Sequence, residues 1–384
     1  MKRKIYYLTR SLAPYQKGGG PLMRTSGVKY LKEFGWDVIV VMPNYYDSEL
    51  NITDNVIQIP FSHIQKLASL YEKIGFYEDY LDKWVNRAYL YLKDKILEHD
   101  IVFSSSGGDL ASVKLGSIIQ KEVGCKFVIN FRDPIVYTLV NGLKVDKKPH
   151  VSREKTEKKY ISNADLIITS SKSFQVALQS KYPFLKEKIV NNYFGYMQEV
   201  VLKKKKKSDK LRIAYSGSMR SVQKPEILHE AAKLLNRSED IELYFIGDAS
   251  AYKPVGDLNG VTHISCMPHD EFLQFMLEHI DVGFVSLASD YLGVCVPSKI
   301  YEYINLGLPI LGALPKGDAS ELINDRGYGK SVYFDDVHAL SLAIEKFLEE
   351  DFLESCQNKI LQEREEWSMK HRLLEVDLLL KGLL

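Results

Sequence analysis

The sequence predicts an α/β chain made of two halves, each a parallel sheet covered by helices. Short runs that are apolar on both faces alternate with segments of helical period along most of the chain. The alternation breaks once, near residue 200, at five consecutive lysines, and then restarts. Continuous apolar runs suit strands covered on both sides, and strand–helix alternation suits β-α-β units in a parallel sheet. A length of 384 residues accommodates two to three domains at about 150 residues each. It also allows roughly three-quarters of the unfolded surface to be buried without disulfides or metal.

In the first half, strands are expected at residues 5–8, 38–42, 101–103, 127–129 and 166–168, with helices at 21–34, 77–98, 110–123, 150–162 and 172–182. In the second half, strands are expected at 213–215, 243–246, 282–285 and 309–311, with helices at 224–236, 268–279 and 298–306. Residues 337–384 read as helix, with Trp367 and a final Leu-rich stretch. Lys203 to Lys207 read as a solvated linker. The expected boundaries are a first domain at 1–196, a linker at 197–210, a second domain at 211–365 and a terminal helix at 366–384.

Composition narrows the function. Lys and Arg total 51 against 50 Asp and Glu, a formal net charge of +1. Neutralising a nucleic-acid backbone needs a basic surplus, so no nucleic-acid partner is expected. Hydrophobic residues at 45% and charged residues at 26% are globular values. The cysteines Cys125, Cys266, Cys295 and Cys356 form no CxxC pair, which suits a reducing, cytoplasmic compartment. Residues 1–10 are too briefly apolar for a signal peptide, and no run approaches the 18 apolar residues of a membrane span. Tyr is over-represented, at 24 residues against 16 Phe and 3 Trp.

Four segments carry candidate chemistry. Gly18-Gly19-Gly20-Pro21 lies between the first strand and first helix. Glycines there let backbone N–H groups approach a ligand, the helix start favours an anion, and Arg24 one turn on adds charge. A plain turn is the alternative. Ser104 to Asp109 follow the third apolar run, where small residues line the ligand crevice of α/β proteins, or serve as an ordinary loop with Asp109 as a helix cap. Asn130-Phe131-Arg132-Asp133-Pro134 end the next run and place an Arg and an Asp at the same crevice, as a site wall or as a local ion pair. The fourth runs from Val296 to Ile310. Pro297 and Ser298 open a helix whose free N–H groups and dipole suit a diphosphate. Lys299 adds a positive charge. Glu302, three residues on, shares its face and suits a ribose diol, unless the two simply pair with each other.

The last cassette resembles the nucleotide-binding helix of glycosyltransferases of the GT-B superfold, in the large retaining group called family four. The pattern P-x-K-x-x-E-Y, then G-x-P, is matched at Pro297, Lys299, Glu302, Tyr303, Gly307 and Pro309. The family's earlier carboxylate, eight residues before the Glu, is Val294 here. The resemblance extends over nearly the whole chain. Gly18 to Gly20 with Arg24 are similar to an N-terminal glycine loop, and residues 130–134 to a D-F-R-D-P segment of bacterial polysaccharide members, with Asn130 for the first Asp. Ala164-Asp165 through Ser171 resemble an A-D-x-I-x-T-x-S strand. Tyr215-Ser216-Gly217 through Lys224 resemble a Y-x-G…K element whose basic residue meets the donor phosphates. The usual Arg after that Gly is Ser218, so Arg220 is the nearest substitute. Ile246-Gly247-Asp248 resemble the loop beside the base.

The resemblance implies two Rossmann-like domains with parallel sheets facing a central cleft. It implies a metal-independent hexosyltransferase that moves a sugar, with retention, from a nucleotide-sugar to a glycan or polyprenyl-linked acceptor, in bacterial surface-polysaccharide synthesis. The donor contacts it implies are Gly19, Gly20, Arg24, Gly217, Arg220, Lys224, Pro297, Ser298, Lys299 and Glu302, with Arg132 and Asp133 as the catalytic pair. No cofactor is implied. A UDP-sugar 2-epimerase on the same superfold and a non-catalytic nucleotide-sugar-binding subunit remain alternatives. Residues 61–91 hold eight aromatics among Lys66, Lys73, Lys83 and Arg87. That mixture suits peripheral contact with the inner face of the plasma membrane, or aromatic packing within the domain.

Overall fold

The computed structural model describes residues 3–16, 18–46, 49–61, 65–135, 151–202, 208–248 and 260–384. The lysine run at 203–207, read as a linker, lies outside them. The chain divides into two compact units. One is built from 3–135, 151–193 and Arg372–Leu384, the other from Phe194–His371.

The first unit carries an eight-stranded sheet among the described residues. Its strands are β1 (Lys4–Thr9), β2 (Asp37–Asn44), β3 (Asn51–Thr53), β4 (Val56–Pro60), β5 (Ile101–Gly107), β6 (Lys126–Asp133), β7 (Leu166–Thr169) and β8 (Ile189–Asn191), in the order β3-β4-β2-β1-β5-β6-β7-β8. Every pairing is parallel except β3 with β4. That hairpin turns through Asp54 and Asn55, both left-handed with φ of 46° and 66°, which short Asx side chains tolerate. Ile5, Val38, Val40, Ile101, Val102 and Phe127 are fully buried in this sheet, as strands covered on both faces require.

The second unit has six parallel strands, β9 (Leu211–Ser216), β10 (Ile241–Ile246), β11 (Val261–Ile264), β12 (Val282–Ser286), β13 (Ile310–Leu314) and β14 (Gly329–Tyr333), ordered β11-β10-β9-β12-β13-β14. Ile213, Tyr215, Phe245, Phe284 and Leu311 pack from the sheet against Ile227, Leu228, Leu340 and Ile344. With the first unit, this is the two-sheet α/β architecture expected from the sequence.

Several elements differ from expectation for identifiable reasons. The helix expected over 77–98 occupies only Asp82–Leu92. Asp79 accepts from Leu81 N at 2.9 Å and Asp82 from Glu78 N at 2.7 Å, so these carboxylates hold a turn where helix would otherwise begin. Ser104 to Gly107, expected as loop, continue β5. Their buried hydroxyls are satisfied, Ser104 donating to Ser112 O at 2.7 Å and Ser106 to Asp109 O at 2.5 Å. The helix expected from 224 runs only over Glu226–Ala232, because Lys224 precedes Pro225 and is excluded from the α region; its φ is 43°.

The C-terminal segment is three helices, Val337–Phe347, Glu350–Glu363 and Met369–Gly382. The break before the last one holds Trp367, which is 2% exposed and donates from Nε1 to Tyr328 Oη at 2.8 Å. Within the first unit the last helix is fixed by Asp377, which accepts from Trp36 Nε1 at 2.8 Å, and by Glu375, which accepts from Asn192 Nδ2 at 2.7 Å.

Candidate functional site

In the second unit, β9 hands over to β10 on one side of the sheet, while β12 pairs on its other side. That is a topological switch point, outside whose strand ends open α/β sheets bind ligands. The loops after β9 and β10 meet there. Gly217 N donates to Ile246 O at 2.8 Å, and Gly247 N donates to Ile264 O at 2.8 Å. Both glycines have positive φ, 104° and 139°, and a Cβ on Gly247 would stand 2.3 Å from Gly217 O. Only glycine permits this approach.

The helix Ser298–Asn305 follows the loop after β12 and points its N-terminus at this place. The sequence fixes its rotation. Ile300, Tyr301, Tyr303 and Ile304 are buried. Tyr303 Oη donates to Phe284 O at 3.0 Å and lies 3.2 Å from Ser216 Oγ, locking the helix to β9 and β12. Tyr301 packs on Trp367 with ring centroids 5.8 Å apart. Asn305 donates from Nδ2 to Gln198 O at 2.7 Å and accepts from Arg364 Nη2 at 3.0 Å.

This rotation leaves Lys299 and Glu302 on the remaining face. Lys299 Nζ stands 3.6 Å from the centroid of the Tyr215 ring, and its Cε would be 3.1 Å from a Cβ on Gly217. The two side chains do not pair with each other or with any other charge among the described residues, and Glu302 Oε2 is a buried oxygen without a partner. Burial alone pushes the Lys299 ammonium down to about 7 and the Glu302 carboxyl up to about 7. A buried cation and a buried carboxylate, each uncompensated, are costly to the free protein. They are arranged to receive an anion and a hydrogen-bond donor. The local ion pair left open by the sequence is absent.

The other residues expected here are placed less closely. Pro297 caps the helix without a side-chain bond, and Ser298 is exposed at its first position. Arg220 is exposed on the loop after β9, and Lys224, half-buried, follows it. Neither makes a side-chain bond among the described residues. Tyr215, whose ring lies beneath the ammonium, and Tyr303, which sets the helix rotation, are parts of the site that sequence motifs carry only as pattern letters.

The first unit has its own switch point, between β1 and β5. Gly19 and Gly20 start the helix Gly19–Glu33. Arg24 is 4% exposed and donates from Nη1 to Ser11 Oγ at 2.6 Å. Arg132 donates from Nη1 to Gly20 O at 2.7 Å. Burial, and after it the Arg24 charge, push Arg132 down to about 10, against the opposing pull of Asp133. Arg10, a residue no motif singles out, joins them from the end of β1; its Nε is 3.5 Å from Asp109 Oδ2. Asp109 also accepts from Gly107 N at 3.0 Å. It therefore anchors this crevice rather than capping the following helix, which has no side-chain cap.

Among the described residues no three His, Cys, Asp or Glu side chains gather as metal ligands, and no helix is long and apolar enough to cross a membrane. The aromatics of 61–91 divide in two. Phe61 and Trp84 are buried at 2% and 0% exposure, whereas Phe76 stands 74% exposed.

The two α/β units, each built on a largely parallel sheet, have the GT-B fold. Solved structures share that fold across nearly the whole chain. Sucrose-phosphate synthase of Thermosynechococcus elongatus superposes with a TM-score of 0.73 at 14% identity, over 100% of this chain and 99% of that one. The lipopolysaccharide outer core galactosyltransferase WaaB in its apo form gives 0.70 at 14% identity, over 99% and 100%. HepE of Anabaena, in complex with UDP-glucose, gives 0.68 at 14% identity, over 99% of each chain. No protein-family model and no curated protein matches the sequence.

Proposed function

We propose that this protein is a glycosyltransferase that moves a hexose from a UDP-sugar to a glycan or polyprenyl-linked acceptor, with retention and without a metal, in surface-polysaccharide assembly. The observation that carries the reading is the pair Lys299 and Glu302, uncompensated and part-buried at a helix start on the switch point of a GT-B frame. UDP is the nucleotide chosen because HepE, of the same fold, was solved with UDP-glucose.

In this mechanism the bond between the sugar's anomeric carbon and the diphosphate breaks, and the diphosphate leaves with the electron pair. Its growing charge falls to the Lys299 ammonium and the N–H groups of the helix start, fixed in place before the reaction. The Glu302 carboxylate accepts from the ribose hydroxyls and orients the nucleoside. The acceptor hydroxyl forms the new bond to the anomeric carbon and loses its proton, which we assign to Asp133 beside Arg132.

A second part of the reading concerns the acceptor. Leu70, Ile74 and Phe76 are 50%, 66% and 74% exposed, and Lys83 and Arg87, also exposed, follow them in the sequence. Exposed apolar groups flanked by cations suit an anionic membrane surface carrying a lipid-linked acceptor.

The test is release of UDP from a panel of UDP-sugars, with and without a mixed glycan and polyprenyl-phosphate acceptor pool. Transfer that is abolished by Glu302→Ala and by Lys299→Ala supports the reading. Turnover intact in both variants contradicts it. Conversion of a UDP-sugar to its 2-epimer would assign an epimerase, and tight UDP-sugar binding without turnover a binding subunit.

A further inference from the structure

The first unit holds a concentration of positive charge apart from the Lys299 and Glu302 pair, and it includes Arg24, which the resemblance assigned to the donor. Three guanidinium groups, from the end of β1 (Arg10), from the first helix (Arg24) and from β6 (Arg132), converge at its switch point. Their convergence is fixed by two glycines. A Cβ on Gly107 would stand 2.8 Å from Arg24 Nη2, 3.6 Å from Arg10 Nη2 and 3.8 Å from Asp133 Oδ2. A Cβ on Gly20 would stand 3.6 Å from Arg24 Nη1 and 3.7 Å from Arg132 Nη1. Side chains are absent where they would fill the space between the cations.

The charges do not cancel locally. Asp109 is committed to Arg10 and to Gly107 N, and Asp133 is the other carboxylate facing the group. Arg24 pairs with no carboxylate among the described residues. Its side chain donates instead to the neutral Ser11 hydroxyl, and its buried Nε has no partner among the described residues. A guanidinium at 4% exposure with no carboxylate paired to it among the described residues is unfavourable, and an anion joining it offsets that cost. The planar guanidinium fork matches the oxygens of a phosphate. The second unit already presents a separate cation, Lys299, to a diphosphate.

We propose that Arg10, Arg24 and Arg132, gathered over Gly20 and Gly107, form an oxyanion site for a phosphate-bearing acceptor. Its role as an acceptor site rests on the transferase reading above; its binding of phosphate does not. Asp133, beside the same guanidinium groups, is then placed to take the proton of a hydroxyl on that acceptor.

The experiment titrates inorganic phosphate into the full chain, alone and with saturating UDP, and reads the thermal shift. The wild type and the variants Arg24→Gln, Arg24→Lys, Gly107→Ala and Lys299→Met are compared. The expected result is phosphate binding that persists with UDP present, weakens roughly 10- to 100-fold in Arg24→Gln, as loss of one charge-assisted hydrogen bond implies, and is unchanged in Lys299→Met. Gly107→Ala, whose methyl displaces Arg24, weakens it as well, and Arg24→Lys restores part of it. No binding, or equal binding in Arg24→Gln and Gly107→Ala, overturns the site. Phosphate displaced by UDP overturns its assignment to the acceptor. Phosphate binding that depends on Arg24 in a protein that fails to bind any UDP-sugar leaves the site standing and removes the transferase reading instead.

Discussion

Lys299 Nζ sits 3.6 Å from the centre of the Tyr215 ring, and the ring is itself held by its hydroxyl, which donates to Ser218 O at 2.7 Å. The aromatic face stabilises the cation without neutralising it, so the ammonium is kept in position but available. The free protein bears a cost for this. The Lys299 pKa falls from the usual lysine value to about 7 through burial, so the folded state is penalised as pH drops from the unfolded value towards about 7, and fully below that. Lys299→Met is expected to raise the Tm of the ligand-free protein at pH 6 by on the order of 2 °C or more, and by less at pH 9. A melting series across pH checks it.

Glu302 has the opposite sign. Burial raises its carboxyl to about 7, so its penalty grows as pH rises from about 4.5 to 7 and is complete above that. A UDP-sugar bound there as proposed is expected to reverse both shifts. At pH 8 binding takes up about one proton, onto Lys299, and at pH 6 it releases about one, from Glu302. Calorimetry of UDP-glucose binding in buffers of different ionisation enthalpy measures this crossover. Glu302→Gln is expected to abolish the release at pH 6 and leave the uptake at pH 8.

Gly247 tests the loop contact. A methyl there would meet Gly217 O at 2.3 Å on a backbone with φ of 139°, so Gly247→Ala is expected to destabilise the protein by about 2–4 kcal/mol. Urea unfolding measures it. Under the proposed reading, nucleotide affinity is expected to fall with it, because the Gly217 loop that flanks Lys299 must shift.

The exposed apolar group gives a membrane prediction. Ile74→Glu with Phe76→Glu is expected to remove cosedimentation with vesicles containing anionic lipid while leaving UDP-glucose binding unchanged. Both side chains are largely exposed, at 66% and 74%, so stability is expected to change by no more than about 0.5 kcal/mol.

Much of this was legible in the sequence because it is local. Lys299 and Glu302 are three residues apart on one helix, and the continuous apolar runs of β1, β2, β5, β6 and β7 mark buried parallel strands. What was not legible depends on distance in space. The approach of Gly247 to Gly217 joins loops after neighbouring strands, and no spacing announces it. Arg10 ends β1 without a motif, and its meeting with Arg24 and Arg132 depends on β5 lying beside β1 and β6 beside β5. Strands β3, β4, β8, β11 and β14 lie outside the apolar runs read from the sequence. β3 and β11 are edge strands and largely exposed, so they lack the run that marks a central strand; β8 and β14 are edge strands too, and β4, though buried, is a short run interrupted by Gln58. The turn residues Asp54 and Asn55 were the signal for the β3–β4 hairpin.

The central claim is that Lys299 and Glu302 receive the diphosphate and ribose of a nucleotide-sugar. Titration of UDP-glucose into the wild type, Lys299→Met and Glu302→Gln at pH 7.5 tests it most directly. The account predicts saturable binding by the wild type, weakened roughly 10- to 100-fold in each variant, with both variants at least as stable as the wild type when free of ligand. Equal affinity in all three proteins would contradict it.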